Sequence, residues 1–299
     1  MLGEFDLIDR YFRDAAARRD DVLLGVGDDG ALLRPKAGFD LVMVTDTLVE
    51  GTHFKSSASP RSIGHRALAV NLSDLAAMGA TPAWGLLALT LPATDEPWIK
   101  EFAVGFLELA RQHDLALVGG DTTRGPLSVT VQLVGYVPQG RGLRRSGAQV
   151  GDVVLMSGTL GDAAAGLHDS NDYLRQRFDY PSPRIALGES LLDVASAAMD
   201  VSDGLLADLA KLTAASGVGA TLSIASLPLS NELVAVKGLD GARRLALTGG
   251  DDYELLFTAA PQQRAGVLAA AQASATPVTR IGHITPQGLR VFDPQGQAM

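Results

Sequence analysis

The sequence contains no cysteine and only 5 histidines in 299 residues. Without thiols the chain can form no disulfide, thiolate nucleophile, zinc ribbon or iron–sulfur cluster. No apolar run reaches the length of a membrane span. The first residues, MLGEFDLIDRYFRD, alternate charge with apolar side chains and are not typical of a signal peptide. The sequence therefore predicts a cytoplasmic enzyme that does not use thiol chemistry.

Positive charge is also scarce. The chain has 25 Lys and Arg against 34 Asp and Glu, a formal net charge of -9. This balance disfavours sequence-independent binding of nucleic acid, which needs Lys and Arg against the phosphates. It leaves phosphorylated ligands open, because a metal can supply the positive charge. The sequence has neither G-x-x-x-x-G-K-[ST] nor the H-R-D and D-F-G motifs, which excludes a P-loop enzyme and a protein kinase.

The length favours two domains, and the 46% hydrophobic fraction is enough for a substantial core. We predict an N-terminal domain over residues 1–138, a Gly-rich and basic linker over 139–152, and a C-terminal α/β domain over 153–299. Both halves mix strand and helix patterns, which predicts an α+β or mixed α/β fold.

Local patterns predict several elements. Apolar residues at helical spacing indicate a helix over Glu4–Arg19. A second helix is predicted to begin with Ser59 as its cap and Pro60 at its first position, and to end at Gly79. The segments VTRIGHI and LRVFDP, near the end of the chain, indicate a closing hairpin.

The stretch GVGDDG, Gly25–Gly30, matches the G-x-G-x-x-G fingerprint of dinucleotide-binding loops. That fingerprint requires a helix after the loop, because the helix N-terminus binds the pyrophosphate. Here ALLRPKAGFD follows, which contains Pro and Gly and is too short for a parallel crossover. Asp28 and Asp29 would also repel a phosphate that no cation neutralises. A hairpin turn is the better interpretation.

Acidic residues recur at predicted strand ends and in Gly-rich turns along the whole chain. They are Asp28, Asp29, Asp46, Asp74, Asp121, Asp200, Asp203, Asp251, Asp252 and Glu254. Oxygen ligands of this kind select Mg²⁺, Mn²⁺ or Ca²⁺ over zinc or copper. Mg²⁺ uses one or two carboxylates and completes its octahedron with water and substrate phosphates. A set of unrelated turns and helix caps remains the alternative at this point.

Taken together and in order, six motifs resemble the thiamine-monophosphate kinase family of the aminoimidazole ribonucleotide synthetase-like superfamily. They are GVGDDGALL, VTDTLVEGTHF, ALAVNLSDLAAMGATP, GGDTTRGP, DVSDGLLADL and GGDDYELLF. The resemblance implies direct, in-line phosphorylation of thiamine monophosphate by ATP to give thiamine diphosphate, assisted by several Mg²⁺ ions. It also implies an N-terminal domain that pairs its sheet with a second subunit in a homodimer.

The resemblance implies a role for each matching position. The Mg²⁺ ligands would be Asp29, Thr45, Asp46, Asp74, Asp121, Asp200 and Asp203. Contacts with ATP would come from Gly120, Asp121, Arg145 and Ser202, and contacts with the substrate from His53 and Glu254. No catalytic residue is assigned, because an acceptor phosphate is already ionised and needs no general base. Asp28 is interpreted as a turn carboxylate that accepts backbone N–H groups.

One position departs from the family, in which a hydroxyl residue often precedes the Thr-Asp pair where this chain has Val44. The resemblance also leaves the residue that packs on the thiamine ring unassigned. Two other hypotheses therefore stand beside the kinase. One is another ATP-using enzyme of the same superfamily, and the other is a protein that binds Mg-nucleotide without turnover.

Overall fold

The computed structural model describes residues 9–13 and 19–298, which form two compact units. Within the described residues, the first unit ends at Leu75 and resumes over Thr81–Gly140, and the second contains Ala76–Ala80 and the chain from Arg141 onward. The boundary after Gly140 falls inside the segment 139–152 that was predicted as a linker. The predicted bounds of the two domains, 1–138 and 153–299, stay a prediction. Strands and helices alternate in both units, which confirms a mixed α/β fold of two parts.

The first unit contains a short hairpin, a four-stranded sheet and two long helices. Its elements are β1 (Val22–Leu24), β2 (Leu32–Leu33), β3 (Phe39–Val49), α1 (Pro60–Ala77), β4 (Thr81–Leu91), α2 (Glu96–Gln112), β5 (Ala116–Arg124) and β6 (Ser128–Pro138). The sheet order is β3-β6-β4-β5, in which only β4 and β5 are parallel. Of the helix predicted over Glu4–Arg19, the structure describes a π-helical turn at Asp9–Arg13 and residue 19, and the rest lies outside the described residues.

Local side chains determine where α1 begins and ends. The Ser62 N–H donates to the Ser59 hydroxyl at 3.1 Å, which satisfies one of the free donors of the first turn. After α1, Gly79 has φ 69°, a left-handed conformation that glycine adopts without strain. Both ends of the predicted helix are thereby confirmed. Helices α1 and α2 pack so closely that a Cβ at Gly105 would lie 2.0 Å from the Arg61 carbonyl oxygen.

The two faces of the four-stranded sheet differ in burial. Side chains alternate between faces along a strand, and residues such as Val131 and Leu133 on one face are fully buried. The opposite face exposes large apolar side chains, among them Leu41, Met43 and Leu86. The sheet of this unit therefore has one open face.

The second unit contains a six-stranded sheet with helices and two short 3₁₀ segments. Its elements are β7 (Val153–Ser157), α3 (Asp162–Gly166), α4 (Asp172–Asp179), α5 (Ile185–Ser190), β8 (Ala197–Asp200), α6 (Leu205–Ser216), β9 (Gly219–Ser223), α7 (Asn231–Thr248), β10 (Leu255–Ala259), α8 (Arg264–Ala273), β11 (Val278–Thr285) and β12 (Leu289–Phe292). The strand order is β12-β9-β11-β7-β10-β8, and only β12 and β9 are parallel.

The predicted closing hairpin of VTRIGHI and LRVFDP is wrong. Strands β11 and β12 are not neighbours, because β9 lies between them and pairs with both. The Ala220 N–H donates to the Gly288 carbonyl at 2.8 Å, so the connection between the two strands passes the end of β9.

Among the residues that the structure describes, no helix is both long and apolar enough to cross a membrane.

Candidate functional site

The first unit contains a cavity of about 940 Å³ on the open face of its sheet. Five residues that the sequence analysis selected or interpreted line it together: Asp28, Asp29, Thr45, Gly120 and Asp121. They come from the loop after β1 and from strands β3 and β5. The structure thus brings together acidic and small residues that lie up to 93 positions apart in the sequence.

The loop Gly25–Gly30, called the Gly-Asp loop below, is carried by the hairpin of β1 and β2. One carboxylate, that of Asp21, anchors this hairpin to the sheet. Asp21 accepts hydrogen bonds from Trp84 Nε1 at 3.0 Å and from Arg19 Nε at 2.9 Å. The Arg19 guanidinium holds the pKa of Asp21 below its usual value, with Trp84 acting in the same direction. Val22 and Leu33 pack on the apolar cluster around Trp84. These contacts fix the base of the loop against the sheet.

The Gly-Asp loop is a hairpin turn, as predicted, since β1 and β2 pair antiparallel and no helix follows before β3. Gly27 has φ 119°, a backbone conformation that would be strained in a residue with a side chain. The Asp28 carboxylate accepts the Asp29 N–H at 2.8 Å, which agrees with its interpretation as a turn residue. In the described part of the chain, nothing donates a hydrogen bond to the carboxylates of Asp29 or Asp121.

Thr45 and Asp46 lie on opposite faces of β3, because successive side chains of a strand point to opposite sides. Thr45 faces the cavity and donates to the Val131 carbonyl at 3.1 Å. Asp46 does not line the cavity. Desolvation raises the pKa of Asp46 although its side chain keeps contact with solvent, and the nearby His53 acts in the opposite direction.

His53 has a defined tautomer when it is neutral. The Val49 N–H donates to His53 Nδ1 at 3.0 Å, so Nδ1 acts as the acceptor and the ring proton resides on Nε2. The His53 Nε2–H is therefore available to donate to an anionic oxygen.

Gly120 is required by the sheet itself. A Cβ at this position would lie 1.9 Å from the carbonyl oxygen of Leu87 on β4. The close approach that glycine permits here is between two strands, and it places the backbone before Asp121 at the wall of the cavity. The contact with ATP implied by the resemblance stays a prediction.

Asp74 lies in α1, half-buried and away from the cavity lining. Across residues 9–13 and 19–298, no group of three or more His, Cys, Asp or Glu is arranged to hold a metal by itself. Mg²⁺ needs no such group, because it binds through one or two carboxylates and takes its other ligands from water and phosphate. Asp29 and Asp121, whose carboxylates accept no hydrogen bond from the part of the chain that the structure describes, have the oxygen chemistry for that role.

In the second unit, Asp200 ends β8 and a short turn leads into α6. Asp208, in the first turn of α6, is fully buried and accepts the N–H groups of Ser202 and Asp203, both at 3.0 Å. Lys211 Nζ donates to Asp208 at 2.8 Å and also contacts the Asp203 carboxylate. The hydrogen bonds to Asp203 and then to Asp208 raise the pKa of Lys211.

Glu254, immediately before β10, is fully buried, and its carboxylate is the centre of an ion-pair network. Arg184 donates to it through Nε at 2.7 Å and through a terminal nitrogen at 2.5 Å. Arg177 donates at 2.9 Å and the Ser157 hydroxyl at 2.5 Å. A Cβ at Gly158 would lie 2.1 Å from a Glu254 oxygen. The substrate contact implied for Glu254 stays a prediction, and it would require exchange of one of these bonds.

Asp252, beside this network, is also buried. It accepts the N–H of Gly161 at 2.6 Å and of Ala163 at 3.2 Å. Burial raises the pKa of Asp252 to about 7, against the opposing effects of the Gly161 N–H and of Arg177.

Arg145 is exposed and lies in the Gly-rich segment that connects β6 to β7 in the sequence. Its backbone carbonyl accepts a hydrogen bond from the Ser216 hydroxyl at 2.9 Å. Nothing in that geometry tests the predicted phosphate contact of its side chain. The sequence reasoning missed Arg177, Arg184, Asp208 and Lys211. Asp208 could have been found, because an Asp in the first helical turn after a glycine is a common partner of free N–H groups.

Comparison with known proteins gives a consistent family. Residues 27–137 match the AIR synthase related protein N-terminal domain, and residues 149–293 match its C-terminal domain. The thiamine-monophosphate kinase of Salmonella typhimurium is 47% identical over 294 residues, covering 95% of this chain and 90% of the relative. The chain belongs to the thiamine-monophosphate kinase family. The family prediction made from the six motifs is confirmed.

Solved structures of this family agree with the fold. The thiamine-monophosphate kinase of Stenotrophomonas maltophilia K279a has a TM-score of 0.91 and 51% identity, covering 100% of this chain and 98% of that one. AaThiL complexed with AMPPCP and TMP has a TM-score of 0.79 and 32% identity, covering 100% and 95%. Both matches extend over both units of the chain.

We expect Glu254→Gln to lower the free energy of unfolding by about 2–4 kcal/mol, because a neutral amide leaves two partly buried guanidinium groups without their shared carboxylate. Chemical denaturation measures the change. Glu101→Gln, an exposed glutamate on α2, is the matched control and should change stability by less than about 0.5 kcal/mol. A Glu254→Gln protein as stable as the parent would show that the network is not structural.

Asp252 should make stability depend on pH. Its folded pKa of about 7 lies above the unfolded value, so the fold prefers the neutral acid. The stability that this preference contributes is present at low pH and is lost as pH rises from the unfolded value through about 7. We expect Asp252→Asn to lose less unfolding free energy than the parent between pH 5 and pH 8. Equal losses in denaturation curves at the two pH values would contradict the assignment.

Proposed function

We propose that this chain transfers the γ-phosphoryl group of ATP to thiamine monophosphate and releases thiamine diphosphate and ADP. Kinship with thiamine-monophosphate kinases over 95% of the chain supports the reaction, as does a family structure with AMPPCP and TMP. The structural observation that carries the proposal is the cavity of the first unit. It presents the Asp29 and Asp121 carboxylates, which accept no hydrogen bond from the described residues, beside the Thr45 hydroxyl.

We propose that oxygen atoms of this chain hold several Mg²⁺ ions during the reaction. The ligand set would be Asp29, Thr45, Asp46, Asp74, Asp121, Asp200 and Asp203. When bound, Mg²⁺ neutralises phosphate charge and aligns the attacking and leaving oxygens. A chain of net charge -9 needs such cations before two polyanions can approach each other.

The protein's own contribution is positioning and electrostatics rather than proton transfer. The acceptor is a phosphate that is ionised at neutral pH, so its oxygen attacks without a general base, and in-line transfer depends on alignment. The His53 Nε2–H would donate to a substrate oxygen. Arg145 would contact phosphate through its guanidinium, with Gly120 and Ser202 beside the nucleotide. We further propose that the reaction takes place in the cytoplasm.

Substitution of each of the two adjacent acids of the Gly-Asp loop, Asp28 and Asp29, tests the proposal. Asp29→Asn should lower kcat at least about 100-fold, because it removes a carboxylate proposed to hold the Mg²⁺ that would offset the charge of the transferring phosphoryl group. Asp28→Asn is the matched control and should lower kcat less than about tenfold, since Asp28 accepts a backbone N–H. Production of thiamine diphosphate and ADP is measured with and without thiamine monophosphate and Mg²⁺. A parent protein that forms no diphosphate under these conditions would refute the function.

We also propose that the first unit's sheet pairs with a second copy of the chain, which would then form an outer wall of the cavity that Met43 and Leu86 also line. The open face of this sheet exposes 44% of Leu41, 62% of Met43 and 39% of Leu86, which is unusual for an isolated sheet. Strand β3 lies at an edge of the described sheet, so one side of its backbone remains unpaired there. A second copy would cover both features with the same surface, as two-fold symmetry requires.

A charge placed on this face should dissociate the dimer. We expect Met43→Asp to reduce the mass measured by light scattering from that of a dimer to that of a monomer, because an unpaired carboxylate would be buried in the interface. Leu268→Asp is the control, since Leu268 on α8 is 61% exposed, nearly as much as Met43. Equal masses for the parent and Met43→Asp would place the interface elsewhere or exclude it.

A further inference from the structure

The turn between β8 and α6 is held by a residue outside the proposed ligand set. Asp208 has no solvent exposure, and its Oδ2 accepts the N–H groups of both Ser202 and Asp203. Its own N–H donates to the Gly204 carbonyl at 3.0 Å. The carboxylate therefore fixes the backbone that carries Asp203, independently of any ligand on the Asp203 side chain.

Lys211 connects the buried acid with the exposed one. Its Nζ donates to Oδ1 of Asp208 at 2.8 Å and contacts Oδ2 of Asp203. The Lys211 side chain is 41% exposed and that of Asp203 is 65% exposed, so the ammonium lies at the surface of the turn. Asp208 anchors this ammonium beside Asp203, since a fully buried carboxylate requires a cation or donors at each oxygen.

We propose that Lys211 and Asp208 are positioning residues of the turn at 200–204, in which the Lys211 ammonium stands in for the divalent cation at Asp203 until that cation binds. The inference rests on the proposed role of Asp203 as a Mg²⁺ ligand. The Asp203 oxygen that Lys211 contacts would then be the oxygen that holds the cation. Lys211 keeps its bond to Asp208, and Asp208 keeps its two N–H donors, so the turn retains its shape.

The exchange has an electrostatic consequence. A +1 charge that contacts a metal ligand both blocks one ligand oxygen and repels the +2 ion. Lys211 therefore weakens cation binding by the free protein. It also prevents Asp203 and Asp208 from repelling each other before the cation arrives. Removal of Lys211 should tighten cation binding, whereas simple damage to the turn would weaken it, so the sign of the change separates the two explanations.

The test is a titration of the nucleotide-free protein with Mn²⁺, in which electron paramagnetic resonance measures the free ion. We expect Lys211→Met to bind Mn²⁺ about fivefold to tenfold more tightly than the parent at low salt, with a smaller gain at high salt. Lys211→Arg keeps the charge and should stay within about twofold of the parent. In an Asp203→Asn background, Lys211→Met should change the Mn²⁺ affinity by less than about twofold.

The matched control is Lys237→Met. Lys237 also pairs with an aspartate, Asp169, at 3.1 Å, but neither residue belongs to the proposed ligand set. The Lys237→Met variant should therefore bind Mn²⁺ with the same affinity as the parent. Unchanged or weaker binding by Lys211→Met overturns the inference, as does a gain that persists without Asp203. Absence of Mn²⁺ binding by every variant up to millimolar concentration overturns it too, because Asp203 would then hold no cation in the free protein.

These results are independent of the kinase assay. Tighter Mn²⁺ binding by Lys211→Met, in a protein that forms no thiamine diphosphate, would support the positioning role and refute the proposed reaction. Product formation with unchanged Mn²⁺ affinity would support the reaction and refute the role of Lys211.

Discussion

Carboxylates that lie close together repel one another, and their compensation within the chain is the constraint on which the rest of this structure depends. Asp208 is compensated by two N–H groups and Lys211, and Glu254 by Arg177 and Arg184. Each acid is buried, where an uncompensated charge would cost several kcal/mol. Buried acids such as Asp208 and Glu254 are therefore tolerated in the second unit, because each has its own donors.

Compensation extends from side chains to the backbone around Glu254. Asp251 has φ 68° and Tyr253 φ 51°, left-handed conformations that cost energy in residues other than glycine. The Asp251 N–H donates to the Ser202 carbonyl and the Tyr253 N–H to the Val201 carbonyl, both at 2.9 Å. The strained segment and the turn that carries Asp203 thus hold each other. The Glu254 network and the Asp208 anchor therefore stabilise two backbone segments that are hydrogen-bonded to each other.

How much of this arrangement a sequence reveals depends on the distance over which the interactions act. The cap at Ser59 and the turn at Asp28 involve neighbouring residues, so local patterns predicted both. The bond from Arg177 to Glu254 joins residues 77 positions apart, and no local spacing marks it. The position of β9 between β11 and β12 was missed for the same reason. The candidate ligands were found through family motifs, while their partition between two faces of β3 required the structure.

The difference between Asp28 and Asp29 explains how an acidic chain can bind polyanions. The Asp28 carboxylate accepts a backbone N–H, which stabilises the turn and makes Asp28 a weaker ligand for a cation. Asp29 and Asp121 receive no hydrogen bond from the described residues, so their charge is available to whatever enters the cavity. A phosphate alone would be repelled there, whereas a divalent cation held by these carboxylates would offset the phosphate charge. The carboxylates therefore favour a phosphate that is accompanied by a divalent cation over a bare phosphate.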